Sequence, residues 1–195
     1  MWQEIFDFGS IFFAVVCCSI AVKLADDYLD RVSDLTGGQV NWAERLGPGT
    51  MVYAMLFLAI AAGINAKLSL SLFIGSYVVG MFNDLNTLYP SRLTGFYESV
   101  LAVVLGMILL GWRMMFFSLC FVFAVQLIDD CIDAYTDRLT GQRNMANHFG
   151  KTECMLTALL GFLLAWVAAE SLIIPTFIGT ASVYMWSMRQ QGGRS

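Results

Sequence analysis

Charge is scarce in this sequence. Lysine, arginine, aspartate and glutamate make up 13% of its 195 residues, against about 25% in an ordinary soluble domain. No stripe of basic residues interleaved with aromatics occurs, so nucleic acid is not expected as a partner. Histidine occurs once, at His148 in a polar loop, where plain surface is its ordinary role. The five cysteines (Cys17, Cys18, Cys120, Cys131, Cys154) lack zinc-like spacing, and four lie in or beside apolar runs. They read as small packing residues in a reducing setting. Residues 1–10 hold Glu4, Asp7 and no basic residue, so no signal peptide is expected. What fills the chain instead is apolar. At 58% hydrophobic content in long blocks, it reads as an all-α integral membrane bundle forming a single membrane domain over residues 1–195.

The blocks predict about seven transmembrane helices, near 8–25, 50–64, 68–82, 98–110, 114–128, 154–169 and 172–188. Several are short against the roughly 20 residues that a bilayer requires. Gly111-Trp112-Arg113 is expected to make the turn between the fourth and fifth, and Glu170 with Pro175 the break between the last two. With seven spans the first and fifth run in the same direction. Lys23, Arg31, Arg45, Arg92, Arg138, Arg143, Lys151, Arg189 and Arg194 then fall on one face, and only Lys67 and Arg113 on the other. The positive-inside rule puts the first face in the cytoplasm and the N-terminus outside, in a plasma membrane or equivalent inner membrane.

The formal charge of −4 is a poor guide to partners, because eight of the 15 acidic residues are concentrated in two places. In residues 126–150, Asp129, Asp133 and Asp137 recur every fourth position and so share one helical face, with Asp130 one position off it. Residues 23–47 repeat the pattern at an offset of 103. Asp26, Asp27, Asp30 and Asp34 match Asp129, Asp130, Asp133 and Asp137. Gly38, Gln39, Asn41, Ala43 and Gly47 match Gly141, Gln142, Asn144, Ala146 and Gly150. A gapless run of that length marks an internal duplication, over about 8–110 and 114–188.

Carboxylates this close repel one another. A pair roughly 6 Å apart costs about 2–3 kcal/mol at an effective dielectric near 20, so a cation among them is the better reading. An oxygen-only donor set suits magnesium, which takes one or two carboxylates per ion and completes its shell with water and phosphate oxygens. Arg92, Arg143 and Lys151 stand near in sequence to hold a phosphate group. A ligand anionic at one end and oily at the other, such as an isoprenyl diphosphate, fits both features.

Asp26-Asp27-x-x-Asp30-x-x-x-Asp34 resembles the first signature of the UbiA-type intramembrane prenyltransferase family, N-D-x-x-D-x-x-x-D. Asp129-x-x-x-Asp133-x-x-x-Asp137 resembles the second, built on D-x-x-x-D. The stretch Leu88-Tyr89-Pro90-Ser91-Arg92-Leu93-Thr94-Gly95 is similar to that family's middle loop, and 141–151 to the loop after its second signature. The resemblance spans roughly residues 20–155. It implies a helical membrane bundle of two parallel-related repeats around a central cavity, and magnesium-dependent transfer of an isoprenyl group from a prenyl diphosphate to a lipophilic acceptor. Asp26, Asp30, Asp34, Asp129 and Asp133 would bind magnesium with Asp137 as helper, and Asp27 and Asp130 are counted among the metal ligands as well. Arg92, Arg143 and Lys151 would contact diphosphate, Tyr89 would lie near the reacting carbon, and Asp30 and Asp133 would be the central catalytic carboxylates.

Two departures from the family pattern stand out. Asp26 replaces the usual asparagine, and the chain is about one flanking helix short at each end. The second opens a side of the cavity that lipid or a second copy of the chain would close. Two alternatives remain beside the transferase. A membrane terpene cyclase would use the same ionisation, with the chain's own double bond as acceptor. A divalent-cation transporter or binding scaffold would use the carboxylates alone, although its ionisable groups would be expected nearer the midplane. Glu98, at the start of the fourth span, reads as interfacial.

Overall fold

The computed structural model describes residues 2–31, 41–141 and 143–192, and every described element is helical apart from one isolated bridge between Leu88 and Thr94. The helices are α1 (Trp2–Leu29), α2 (Trp42–Leu46), α3 (Thr50–Gly80), α4 (Gly95–Leu110), α5 (Trp112–Thr140), α6 (Met145–Phe149), α7 (Lys151–Ala168) and α8 (Glu170–Gly192). Short 3-10 turns occupy Gly47–Gly49 and Met81–Asn83. The protein is all-α, and five of the described helical runs are long and apolar enough to cross a membrane: Gln3–Leu29, Trp42–Gly80, Trp112–Leu139, Lys151–Ala168 and Glu170–Arg189.

The apolar blocks predict seven such helices. The difference lies in two places. Gly95–Leu110 is apolar but short, and 50–80 forms one run although it is broken at Asn65, where φ −147° and ψ 88° leave the helical region. The Ser69 hydroxyl donates to the Ala61 carbonyl at 2.9 Å, whereas residues eight apart on a straight helix are separated by about 12 Å. The chain therefore turns back at Asn65. The Asn65 Oδ1 accepts the Leu68 N–H at 3.2 Å and caps the returning limb.

Other breaks correct the sequence reading in detail. Gly111 alone separates α4 from α5, at φ 98°, where a Cβ would be strained. Trp112 and Arg113 already belong to α5. The break before α8 falls at Ala169 (φ −154°, ψ 77°), and Pro175 lies inside that helix. Helix α4 begins at Gly95 rather than Glu98. Arg194 lies outside the described residues.

The chain divides into two compact units, Met1–Ser69 with Ser171–Ser195, and Leu70–Glu170. In the first, α1 meets α8 where a Cβ on Gly179 would lie 2.9 Å from Val15 Cγ1. Ser19 and Thr180 pair their hydroxyls across that seam at 3.4 Å, and the Cys18 thiol donates to the Ser69 carbonyl. In the second, α5 packs along α7 through small residues. Ala124, Cys131, Ala134, Cys154 and Ala158 are buried together with Leu127, and a Cβ on Gly161 would stand 3.0 Å from both Ala124 Cβ and the Cys120 carbonyl. Ser71 and Ser118 hydrogen-bond at 2.7 Å within the same unit. Small-residue seams of this kind bring helix backbones close where no hydrophobic drive separates protein from lipid.

Gly161→Val is expected to overpack the α5–α7 seam and cost about 1–3 kcal/mol. Thermal unfolding in detergent would show it as a lower midpoint, with Gly9→Val, where a Cβ meets nothing within 4 Å, as the comparison.

Candidate functional site

The second ladder sits in the last turns of α5, so Asp129, Asp133 and Asp137 occupy successive turns of one helix as their spacing requires. Asp129 and Asp133 are half-buried; Asp137 is buried and its Oδ2 accepts from Asn144 Nδ2 at 2.7 Å. In the first ladder Asp26 lies near the end of α1 and Asp30 just beyond it, where the Asp30 N–H still donates to the Asp26 carbonyl at 2.9 Å. Asp26 and Asp30 are exposed, and Lys23 Nζ approaches Asp26 at 3.8 Å. Asp34, with the matched Gly38, Gln39 and Gln142, lies outside the described residues.

Asp27 and Asp130 face elsewhere. Asp27 Oδ2 accepts the Trp42 N–H at 2.9 Å and its Oδ1 meets Lys23 Nζ at 2.9 Å, while its own carbonyl accepts from Asn41 Nδ2 at 2.6 Å. Asp130 Oδ2 accepts the Met145 N–H at 2.8 Å, Oδ1 accepts from Gln126 Nε2 at 3.1 Å, and its carbonyl accepts from Asn144 Nδ2 at 2.8 Å. Every partner in one set matches its counterpart in the other at the offset of 103. The duplication legible in the sequence is thus also a duplication of hydrogen bonds.

The two asparagines finish the motif. Asn41 Oδ1 accepts the Ala43 N–H at 2.7 Å and Asn144 Oδ1 accepts the Asn147 N–H at 3.0 Å, so each caps a short helix, α2 or α6. Such caps satisfy amide groups that the helix itself leaves bare. Both short helices bury an alanine, Ala43 or Ala146, and end on a glycine with positive φ, Gly47 at 56° or Gly150 at 105°. Neither asparagine carries a role in the sequence reading, although an asparagine just ahead of a short helical run is the ordinary cap signal.

The middle loop lies in the second unit. Tyr89 N–H donates to the Leu93 carbonyl and Arg92 N–H to the Tyr89 carbonyl, which puts Arg92 at φ 66°. Gly95 is required by close approach, since a Cβ there would stand 2.6 Å from the Asp84 carbonyl and 3.3 Å from the Tyr89 ring. Glu98, expected to be merely interfacial, accepts hydrogen bonds from the Tyr77 and Ser91 hydroxyls and ties the loop to α3 and α4. Burial, and then the charges of Asp84 and Glu98, push the Tyr89 phenol above its ordinary pKa, so it keeps its proton at neutral pH. Arg143 approaches Asp84 at 3.9 Å, an exposed pair worth little in stability. Arg143 of the second ladder's loop and the Tyr89 loop are therefore brought together. Arg92 and Lys151 are exposed, and Lys151 opens α7.

Oxygen donors alone suit a hard cation. Among the described residues no three His, Cys, Asp or Glu side chains converge on one point. A magnesium ion would thus take one or two carboxylates from a ladder and complete its shell from water and phosphate, its usual habit. No protein-family model, curated protein or solved structure matches the chain.

Replacing Glu98 by alanine removes both hydroxyl contacts. Tryptic cleavage after Arg92, followed by peptide mass mapping of the detergent-solubilised protein, is expected to accelerate several-fold.

Proposed function

We propose that the protein is a magnesium-dependent intramembrane prenyltransferase of the UbiA type, built from seven apolar segments in two parallel-related repeats around a cavity, with its motif loops cytoplasmic. The observation that carries the reading is the twice-used arrangement of an apolar helix ending in a carboxylate ladder, followed by a capped loop. One acidic helix end has many uses. Two matched ones, with basic residues following them and a Tyr-Pro-Ser-Arg loop between, suit an anion delivered with divalent metal at the membrane surface.

When bound, magnesium supplies charge neutralisation to the departing diphosphate. The residues proposed to hold it are Asp26, Asp30, Asp129 and Asp133, with Asp34 and Asp137 in support. Arg92, Arg143 and Lys151 bind the diphosphate oxygens and stabilise the negative charge that grows as the allylic carbon–oxygen bond breaks and its electron pair leaves with diphosphate. The Tyr89 phenol, held protonated, lies near the electron-poor carbon and offers no strong nucleophile to trap it. The lipophilic acceptor forms the new bond and releases a proton. Apolar helices around the prenyl chain exclude water, which would otherwise quench the cation.

Purified protein in nanodiscs, supplied with isoprenyl diphosphates of several lengths, is expected to bind them only with magnesium and to release diphosphate when a suitable acceptor is present. Asp30→Ala and Asp133→Ala are each expected to lower that release by about 100-fold or more, on the scale of lost transition-state charge stabilisation. A hydrocarbon or cyclic alcohol formed without acceptor would move the assignment to a terpene cyclase. Absence of both binding and release at every chain length would end the prenyl-diphosphate reading and make cation flux the next assay.

A further inference from the structure

We infer that Asp27 and Asp130 are positioning residues rather than metal ligands: each latches the loop that follows its ladder onto the helix carrying that ladder. The latch is read directly from hydrogen bonds, whereas its consequence for anion binding rests on the function proposed above. Both carboxylate oxygens of Asp27 are engaged, by Lys23 and the Trp42 amide, and both of Asp130, by Gln126 and the Met145 amide. Asp27 is 2% exposed. Turning either carboxylate toward a metal would strip an amide at the start of a short helix of its acceptor, a costly loss where water does not replace it.

Each aspartate is also gripped from its other side. The Asn41 and Asn144 amides donate to the backbone carbonyls of Asp27 and Asp130, while their Oδ1 atoms cap α2 and α6. Helix end and loop are thus fastened at two points in each half. The i−4 partner differs, lysine in the first half and glutamine in the second, and the geometry is the same. What the two copies share is a docked loop, independent of any particular charge pair. Those loops bear Arg45 in one half and Arg143 in the other, and the second leads into Lys151 at the start of α7. Loosening the second latch therefore moves Arg143 and leaves Asp129 and Asp133 on α5.

The test uses the full chain in nanodiscs with three readouts: amide hydrogen exchange over 42–46 and 145–149, Mn2+ binding by electron paramagnetic resonance, and affinity for inorganic pyrophosphate in the presence of Mg2+. Asp27→Ala and Asp130→Ala are each expected to raise exchange in the adjoining short helix by about tenfold, the effect of one lost charge-assisted hydrogen bond. For Asp130→Ala, pyrophosphate affinity should fall about tenfold while Mn2+ half-saturation moves less than about twofold. Asp27→Asn and Asp130→Asn keep an oxygen facing the amide and should restore protection, which a metal ligand's function would not survive. If either asparagine variant weakens Mn2+ binding as much as Asp133→Asn does, the residue is a ligand and the assignment is overturned; unchanged exchange in both alanine variants also overturns it. Should an alanine variant fail to fold, the asparagine variants decide through Mn2+ alone. Mn2+ binding by neither wild type nor variants, with raised exchange in the alanine variants, would sink the magnesium reading and uphold the latch.

Discussion

A carboxylate closing on a backbone amide is the interaction on which the loop after each ladder depends. A helix start leaves several N–H groups without partners, and at the edge of an apolar bundle water is a poor substitute for an acceptor. Asp27 and Asp130 supply that acceptor from the end of a long apolar helix, so that satisfying the amide and docking the loop are one event. The asparagines make the contact directional, because each bonds both to the helix and within the loop. Remove the aspartate and the loop loses a charge-assisted hydrogen bond; remove the asparagine and it loses both cap and tether.

Away from the ladders, the packing within each unit follows a different rule. The seams within each unit are made of glycine, alanine, serine and cysteine, with hydroxyl pairs such as Ser71–Ser118 where a larger side chain would hold the backbones apart. The cysteines are explained by the same rule. Cys18, Cys131 and Cys154 are buried, unpaired in disulfides, and small enough for close approach. Many large aliphatic and aromatic side chains, among them Leu109, Val167 and Phe6, lie outward, while Phe117, Phe121, Met115 and Leu68 are fully buried.

Much of this is legible in the order of residues alone, and the exceptions have physical reasons. Carboxylates every four residues at the end of an apolar run are a helical pattern, and α5 carries all three of its ladder residues. The gapless repeat shows itself through offset alone, and the hydrogen bonds of Asp27 and Asp130 follow that offset partner by partner. Adjacent aspartates are harder to separate. Neighbouring residues on a helix are about 100° apart, so Asp26 and Asp27, or Asp129 and Asp130, point to different surroundings while looking alike as letters. Which of them meets a loop depends on where that loop folds, and no local pattern encodes this. The break at Ala169 is hidden for a related reason, since alanine favours helix. Pro175 removes one interior backbone hydrogen bond, a loss that apolar helices packed against neighbours tolerate.

The reversal at Asn65 has a consequence for the membrane around it. Residues 50–64 rise only about 22 Å as a helix, against a hydrocarbon thickness of about 30 Å. Set in a bilayer, such a limb, with exposed Lys67 two positions beyond the turn, would fall short of the far headgroups on its own length. The lysine's long stem would cover part of the deficit by extending its ammonium outward, and thin membranes would accommodate the limb at least cost.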